Sequence, residues 1–263
     1  EQRKFRAQLR RRSRVLEQIM EEKAAFDEPV GTPGEMEVFI DGAIGGKNAL
    51  LGEPYSDAPG TSGVAVHTDE EIEELVKLAR KYDEAIAVHV IGDAAAEKAL
   101  DAIEKHPVPE GKRDRLIHVN VLRDDLVARM EKLPVILDLQ PVFVSSDFPW
   151  AMDRLGEDRL DWAYAWKKLI DRGFICGGGS DAPVEEVDPL LGIYAAATRR
   201  KPGETHEGYL PDEKLTRFEA VHLFTVGSVA TIGKDDVRGK LRESFDAEAK
   251  LLESDVIRDE DVD

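Results

Sequence analysis

Cysteine is almost missing from this chain: Cys176 is the single one in 263 residues. That excludes an internal disulfide and fits a reducing compartment, so a cytoplasmic location is expected. Long apolar runs are missing as well. No stretch approaches the roughly 20 apolar residues of a membrane span, and the arginine-dense start lacks the apolar core of a signal peptide, so no membrane partner is expected. Positive charge is in short supply, with 36 Lys and Arg against 54 Asp and Glu and a formal net charge of -18. A surface that acidic repels phosphate backbones, which argues against a nucleic-acid partner. Neither the Rossmann nor the Walker glycine fingerprint occurs, and no short internal repeat is found.

What is present is a hydrophobic content of 42%, enough for a sizeable core, in a length close to the roughly 250 residues of a parallel α/β barrel. The scarce cations crowd the start as Arg3, Lys4, Arg6, Arg10, Arg11, Arg12 and Arg14. Phe5, Leu9, Leu16, Ile19 and Met20 recur there at near-helical spacing. Residues 1–33 therefore read as an amphipathic basic helix and linker, docking on the acidic body of this chain or of a partner. A site for an anionic surface is the other reading.

From residue 36 onward, strand-like and helix-like patterns alternate. Strands are predicted at 36–40, 85–91, 115–119, 135–139 and 174–178, the continuous apolar run at 85–91 being one buried on both faces. Between and after them, helices are predicted over 69–82, 93–104, 124–133, 159–172, 189–199 and 216–229. Thr68 and Glu71 form a capping box in sequence, Asp93 is placed to cap its helix, and Gly173 suits a helix end. Residues 140–158 read as a longer loop. Alternation of this kind means parallel strands with helical crossovers. Residues 34–232 are taken as one such domain. Residues 233–263 differ: a short strand is predicted at 249–252, followed by an acidic tail that frays.

Polar groups of metal-binding type stand at the ends of three apolar strands. His89 lies in Ile86-Ala87-Val88-His89-Val90-Ile91, His118 follows Leu116-Ile117, and Asp181 follows Cys176-Gly177-Gly178-Gly179-Ser180. A barrel presents the carboxyl ends of its strands at an open mouth, where active sites form. His89 and His118 are one βα unit apart, so their imidazoles converge on one ion in this reading. Taken singly, each histidine also reads as a hydrogen-bonded core residue, and Gly-Ser-Asp as a turn and cap. Three such residues in consistent register are harder to obtain from packing needs alone. His67, His106, His206 and His222 lack that placement.

The motifs then become recognisable. Phe39-Ile40-Asp41-Gly42-Ala43-Ile44-Gly45 resembles the fourth-strand motif of the amidohydrolase superfamily in its YtcJ-like branch, which includes N-substituted formamide deformylases. His89-Val90-Ile91-Gly92-Asp93-Ala94-Ala95 is similar to its fifth-strand motif, and Arg115-Leu116-Ile117-His118-Val119 to its sixth. Gln140-Pro141, Leu155-Gly156-Glu157-Asp158-Arg159, Tyr164-Ala165-Trp166 and Gly179-Ser180-Asp181-Ala182-Pro183-Val184 complete the series, over about residues 34–230. The resemblance implies a TIM-type (β/α)8 barrel of metal-dependent hydrolases, with one or two divalent metals, zinc being expected. It implies hydrolysis of a carbon–nitrogen bond in a small, amide-type substrate. By the resemblance, His89 and His118 bind the more buried metal, while Asp181 binds the other and takes a proton from the attacking water. Asp93, Gln140, Trp150, Tyr164 and Arg199 are pocket residues by position in the motifs; Asp93 also reads as a simple helix cap.

Two departures accompany the resemblance. Glu37 stands where the family often carries a carboxylated lysine; it reads as a metal ligand with a shorter reach, or as a solvent-facing residue. The His-x-His pair of the family's first strand occurs nowhere in the sequence. The expectation is therefore an incomplete barrel of strands 4 to 8, holding one metal more readily than two, with residues 233–263 as the remnant of a β-sandwich. A homo-oligomer or a partner chain is expected to cover the open edge. The alternative to a working hydrolase is a non-catalytic metal-binding fragment, or a half-enzyme that needs a partner chain.

Overall fold

The structure, a computed structural model, describes residues 36–246. The basic segment before residue 36 and the strand expected at 249–252 lie outside the described residues. Five strands form one sheet: β1 (Met36–Phe39), β2 (Ile86–Val90), β3 (Asp114–His118), β4 (Val135–Leu139) and β5 (Cys176–Gly178). Every pairing is parallel and the spatial order is the chain order. Right-handed crossovers without a reversal of order put all helices on one face and curl the sheet around the other. This is the arrangement of a TIM-type barrel, and it differs from a doubly wound sheet, whose order reverses. Among the described residues, β1 pairs only with β2 and β5 only with β4.

The register sorts the strand residues into faces. Val38, Val88, Leu116 and Leu137 form one row and are buried beneath the helices, none more than 3% exposed. Residues alternate across a strand, so the neighbouring rows face the other way. One of these runs Glu37, Ala87, Arg115, Ile136; the next, two residues along, runs Phe39, His89, Ile117, Asp138, Gly177. The uncovered face is polar and partly open, with Glu37 exposed and Phe39 47% exposed.

Helix α1 (Asp69–Lys81) begins at the expected capping box: Glu71 N donates to Thr68 Oγ1, and Thr68 N to the Glu71 carboxylate. Ile72, Leu75, Val76 and Ala79 are its buried stripe. Helix α2 (Asp93–Lys105) packs beside it, then α3 (Asp124–Met130). Residue 93 does not cap its helix; Gly92 occupies the cap and the Asp93 carboxylate is used elsewhere.

The segment read as a loop after β4 contains α4 (Phe143–Asp147) and α5 (Trp150–Leu155). The single helix expected at 159–172 is broken into a 3-10 turn (Glu157–Trp162) and α6 (Trp166–Asp171). The break has a tertiary cause: Tyr164 N donates to Asn120 O, and Ala163 forms an antiparallel bridge with Val121. Helix α7 (Pro189–Thr198) ends at Arg199 in a left-handed conformation. The helix expected at 216–229 is α8 (Arg217–His222), a π turn (Leu223–Gly227) and α9 (Ser228–Thr231). No described helix is long and apolar enough to cross a membrane.

Candidate metal centre at the mouth of the sheet

His89 and His118 meet at the carboxyl ends of β2 and β3, with ring centroids 4.5 Å apart and an edge-to-face angle of 71°. Alternation alone would not bring them together. His118 pairs with Val90, whose row faces the helices, whereas His89 pairs with Ile117. The strand ends on a left-handed backbone, φ 74° at His118 and 45° at Val119. Such conformations are costly for a residue with a side chain and collect at functional sites. Here the turn accompanies the meeting of the His118 ring with that of His89, with Phe143 stacked on its other side at 5.8 Å.

Both imidazoles are held neutral. Burial lowers the His89 pKa against a contact from Nε2 to Gly42 O at 3.5 Å. Burial, then the neighbouring His89, takes His118 down to about 3, with Gln140 opposing. The Nδ1 of His118 is buried and has no hydrogen-bond partner. A pair of neutral imidazoles with a free ring nitrogen is the donor set that suits zinc and similar ions.

Behind this pair lies a residue with a larger part than its motif suggested. Asp41 is 2% exposed and accepts three backbone N–H bonds, from Leu50 at 2.8 Å, Ile91 at 3.1 Å and Gly92 at 2.8 Å. Burial pushes its carboxyl up to about 7 against those donors. It ties β1, the strand end of β2 and the long loop of residues 43–63 to one point, 3.7 Å from His89 Nε2. That loop is held from the far side by two arginines. Arg154 donates to Ile44 O and Gly45 O, and Arg159 to Glu53 O and Pro54 O.

The carboxylates expected to join the imidazoles do not do so. Glu37 lies level with Ala87 and Arg115, a row away from His89. Burial and then Asp181 raise its pKa, while Arg115 lowers it. Asp181, exposed after β5 with φ 53°, is raised by burial. Asp138, singled out by no motif, stands in the same row as His89, 3.5 Å from Arg115 Nε. Burial raises its pKa most, Arg115 opposes, and Asp181 and then Glu37 add to the rise. Among the described residues no group of three or more His, Cys, Asp or Glu is disposed to hold a metal ion. The imidazole pair thus fits one part of a metal centre, and among the described residues neither Glu37 nor Asp181 forms a metal-holding group with it.

The remaining expected pocket residues divide in two. Gln140 stays at the site, its Nε2 donating to Asp138 O and Oδ1 and its Oε1 unpartnered. Trp150 lies half-buried against Gly45, with Arg154 over its ring at 4.5 Å. Asp93, Tyr164 and Arg199 are instead spent on internal contacts. Asp93 accepts from Gly52 N and Arg123, each at 2.9 Å. Tyr164 is fully buried and donates to Asp147 Oδ2 at 2.5 Å. Arg199, 0% exposed, donates to Tyr209 O and Tyr164 O. A cavity of about 410 Å³ lies apart from all of these, lined by Ile170, Phe174, Cys176, Phe218, Leu223 and Val226.

Five parallel strands paired in chain order, with two histidines meeting at adjacent carboxyl ends, define an α/β fold of TIM type. Residues 6–261 match the Amidohydrolase family, and the chain belongs to that family. It is 52% identical over 223 residues to the protein YtcJ of Bacillus subtilis (strain 168), covering 84% of this chain and 42% of that one. It is 23% identical over 232 residues to an N-substituted formamide deformylase of Arthrobacter pascens, covering 85% and 41%. The crystal structure of an uncharacterized metal-dependent hydrolase from Pyrococcus furiosus superposes with a TM-score of 0.79 at 34% identity, covering 92% of this chain and 50% of that one. The chain therefore spans about half the length of the relatives it matches.

Proposed function

We propose that this chain carries the imidazole part of the active site of a hydrolase acting on carbon–nitrogen bonds of small, non-peptide amides. The observation that carries the reading is the His89–His118 pair, neutral and in ring contact where two adjacent parallel strands end. That is the face on which barrel enzymes act. The similarity to an N-substituted formamide deformylase of Arthrobacter pascens supports a C–N bond as the target. A divalent ion, zinc by the preference of neutral imidazole, supplies such sites with an activated water and a polarised carbonyl. Asp181, open to the mouth, is the group in this reading that carries a proton between water and leaving amine. Gln140 and Trp150 are the substrate-contacting residues in this reading.

A second reading concerns completeness. The one-sided pairing of β1 and the absence of a third ligand, both among the described residues, favour an active site finished by further strands. We propose that these strands come from more of the same polypeptide or from a second chain, and that without them the sheet edge drives self-association. The lone buried cysteine suits a reducing compartment, and we place the protein in the cytoplasm.

The test is zinc-dependent release of amine from N-substituted formamides, assayed with the chain alone and with the additional strands supplied. Turnover is expected in the completed protein and is lost in His89→Ala and Asp181→Asn. A completed, zinc-loaded protein that hydrolyses no amide would refute the proposal.

A further inference from the structure

Strand β5 is laid against the helical stretch near the end of the described chain with very little side chain between them. A Cβ on Gly177 would overlap Thr231 Cγ2, and one on Gly227 would overlap Cys176 O. Ser228 Oγ donates to Gly178 O at 2.7 Å. The π turn (Leu223–Gly227) between α8 and α9 forms part of this contact and carries Phe224. Its ring stands against two glycines at once. A Cβ on Gly178 would lie 2.8 Å from ring carbons, and one on Gly192 would overlap the ring Cζ. Gly178 ends β5, and Gly192 lies near the start of α7. Neither glycine has a positive φ, so space, and not backbone conformation, excludes a side chain there. Between these two points runs the segment 179–188, which bears Asp181. Most of it is exposed, with Val184 at 67% and Val187 at 76%, so burial does little to place it. Gly179 N donates to Leu139 O, Val184 N to Asp181 O, and Leu191 N to Asp188 O. The segment is thus located chiefly at its two ends, and the same ring touches the strand before it and the helix after it.

We infer that Phe224 is a positioning residue of the candidate active site: its ring pins both ends of segment 179–188 and so sets where Asp181 stands at the mouth. The inference rests on the reading of Asp181 as the proton carrier. A phenyl ring is rigid and has no polar atom to satisfy, so it fills such a slot by shape alone. The π turn accounts for its placement in a stretch that reads as one continuous helix in sequence, and π turns within helices occur frequently at functional sites.

The experiment is amide hydrogen exchange on the full chain. The reporters are the amides of Gly179, Val184 and Leu191, with those of β2 and β3 as the reference. In Phe224→Ala the reporters are expected to exchange about tenfold faster or more and the reference amides to change by less than about twofold, because the opening is local. Gly192→Ala alone is expected to speed the same reporters, although alanine is the better helix former, because its methyl meets the ring. Within Phe224→Ala, Gly192→Ala is expected to add nothing, since the two changes act on one contact. Phe224→Leu, which keeps part of the bulk, takes the place of Phe224→Ala if that variant does not fold, with a smaller effect of the same sign. Reporters and reference that loosen alike would overturn the pin, as would a Gly192→Ala effect as large in Phe224→Ala as in the parent. In the completed protein, Phe224→Ala is expected to lower kcat about tenfold or more with KM within about twofold, as a misplacement of about 1 Å costs about 10²-fold. Unchanged kcat beside loosened reporters would overturn the link to Asp181 and leave the proposed function standing. A completed, zinc-loaded wild type that hydrolyses no amide would overturn the proposed function and that link together, while the exchange cycle still decides the pin.

Discussion

Asp41 gathers three backbone donors from two separate stretches of chain with one carboxylate. Removing it leaves those N–H groups buried without an acceptor, at about 1–3 kcal/mol for each group that water does not reach. Asp41→Ala is therefore expected to cost about 3 kcal/mol or more in urea unfolding. The carboxyl also sets a pH dependence. Its ordinary value of 3.8 rises to about 7 in the folded chain, so the folded state binds the extra proton between those values. Stability from this group is full below about pH 4 and is lost as pH rises toward 7. Unfolding midpoints measured across that range are expected to fall more steeply in the wild type than in Asp41→Ala. An equal slope in both would show that Asp41 titrates elsewhere. Beyond an Asp-Gly pair after a strand this role leaves no mark in sequence, since its partners, Leu50, Ile91 and Gly92, are fixed only by the fold. His89 and His118 were legible because each sits at the end of an apolar run. Tyr164 and Arg199 were misplaced because a motif position says nothing about which way a side chain turns.

At the scale of elements, all five strands are legible in the sequence, with β2 (Ile86–Val90 against 85–91) and β5 (Cys176–Gly178 against 174–178) each two residues shorter than its run. Double-sided burial leaves a plain mark in sequence. The helices after β4 were less legible because distant chain decides them. Tyr164 bonds to Asn120 and breaks an otherwise helical stretch, a contact that no local window contains. The π turn at Leu223–Gly227 sits where Gly227 meets Cys176 O, with no room for a side chain. The loop of residues 43–63 depends on a similar approach. A Cβ on Gly92 would stand 2.0 Å from Leu50 O. Gly92→Ala is thus expected to lift the loop from the start of α2 while leaving the sheet formed. Limited proteolysis should then cut within residues 43–63 many times faster than in the wild type. Unchanged cleavage would mean that Arg154 and Arg159 hold the loop by themselves.

For the whole molecule, chain-order pairing in a fully parallel sheet sets the curl, and with it the two faces. This much followed from the alternation of elements. What did not follow was the composition of the uncovered face, because pairing partners come from register, and register is a property of the assembled sheet. That face carries Phe39, 47% exposed, on β1, which among the described residues pairs on one side only. If a second chain covers this edge, as proposed above, Phe39→Lys should shift sedimentation toward the monomer, since charge on an edge discourages pairing. A wild-type chain that sediments as a monomer at every concentration would remove the grounds for that partner.

The left-handed backbone at His118 has a practical use. Asparagine tolerates that conformation far better than alanine does, while lacking an imidazole. His118→Asn should therefore keep the melting temperature within a few degrees of the parent yet lose zinc, whereas His118→Ala should lose both. The paired comparison separates what the residue contributes by its shape from what it contributes by its ring, which an alanine scan of the same position would merge into one number.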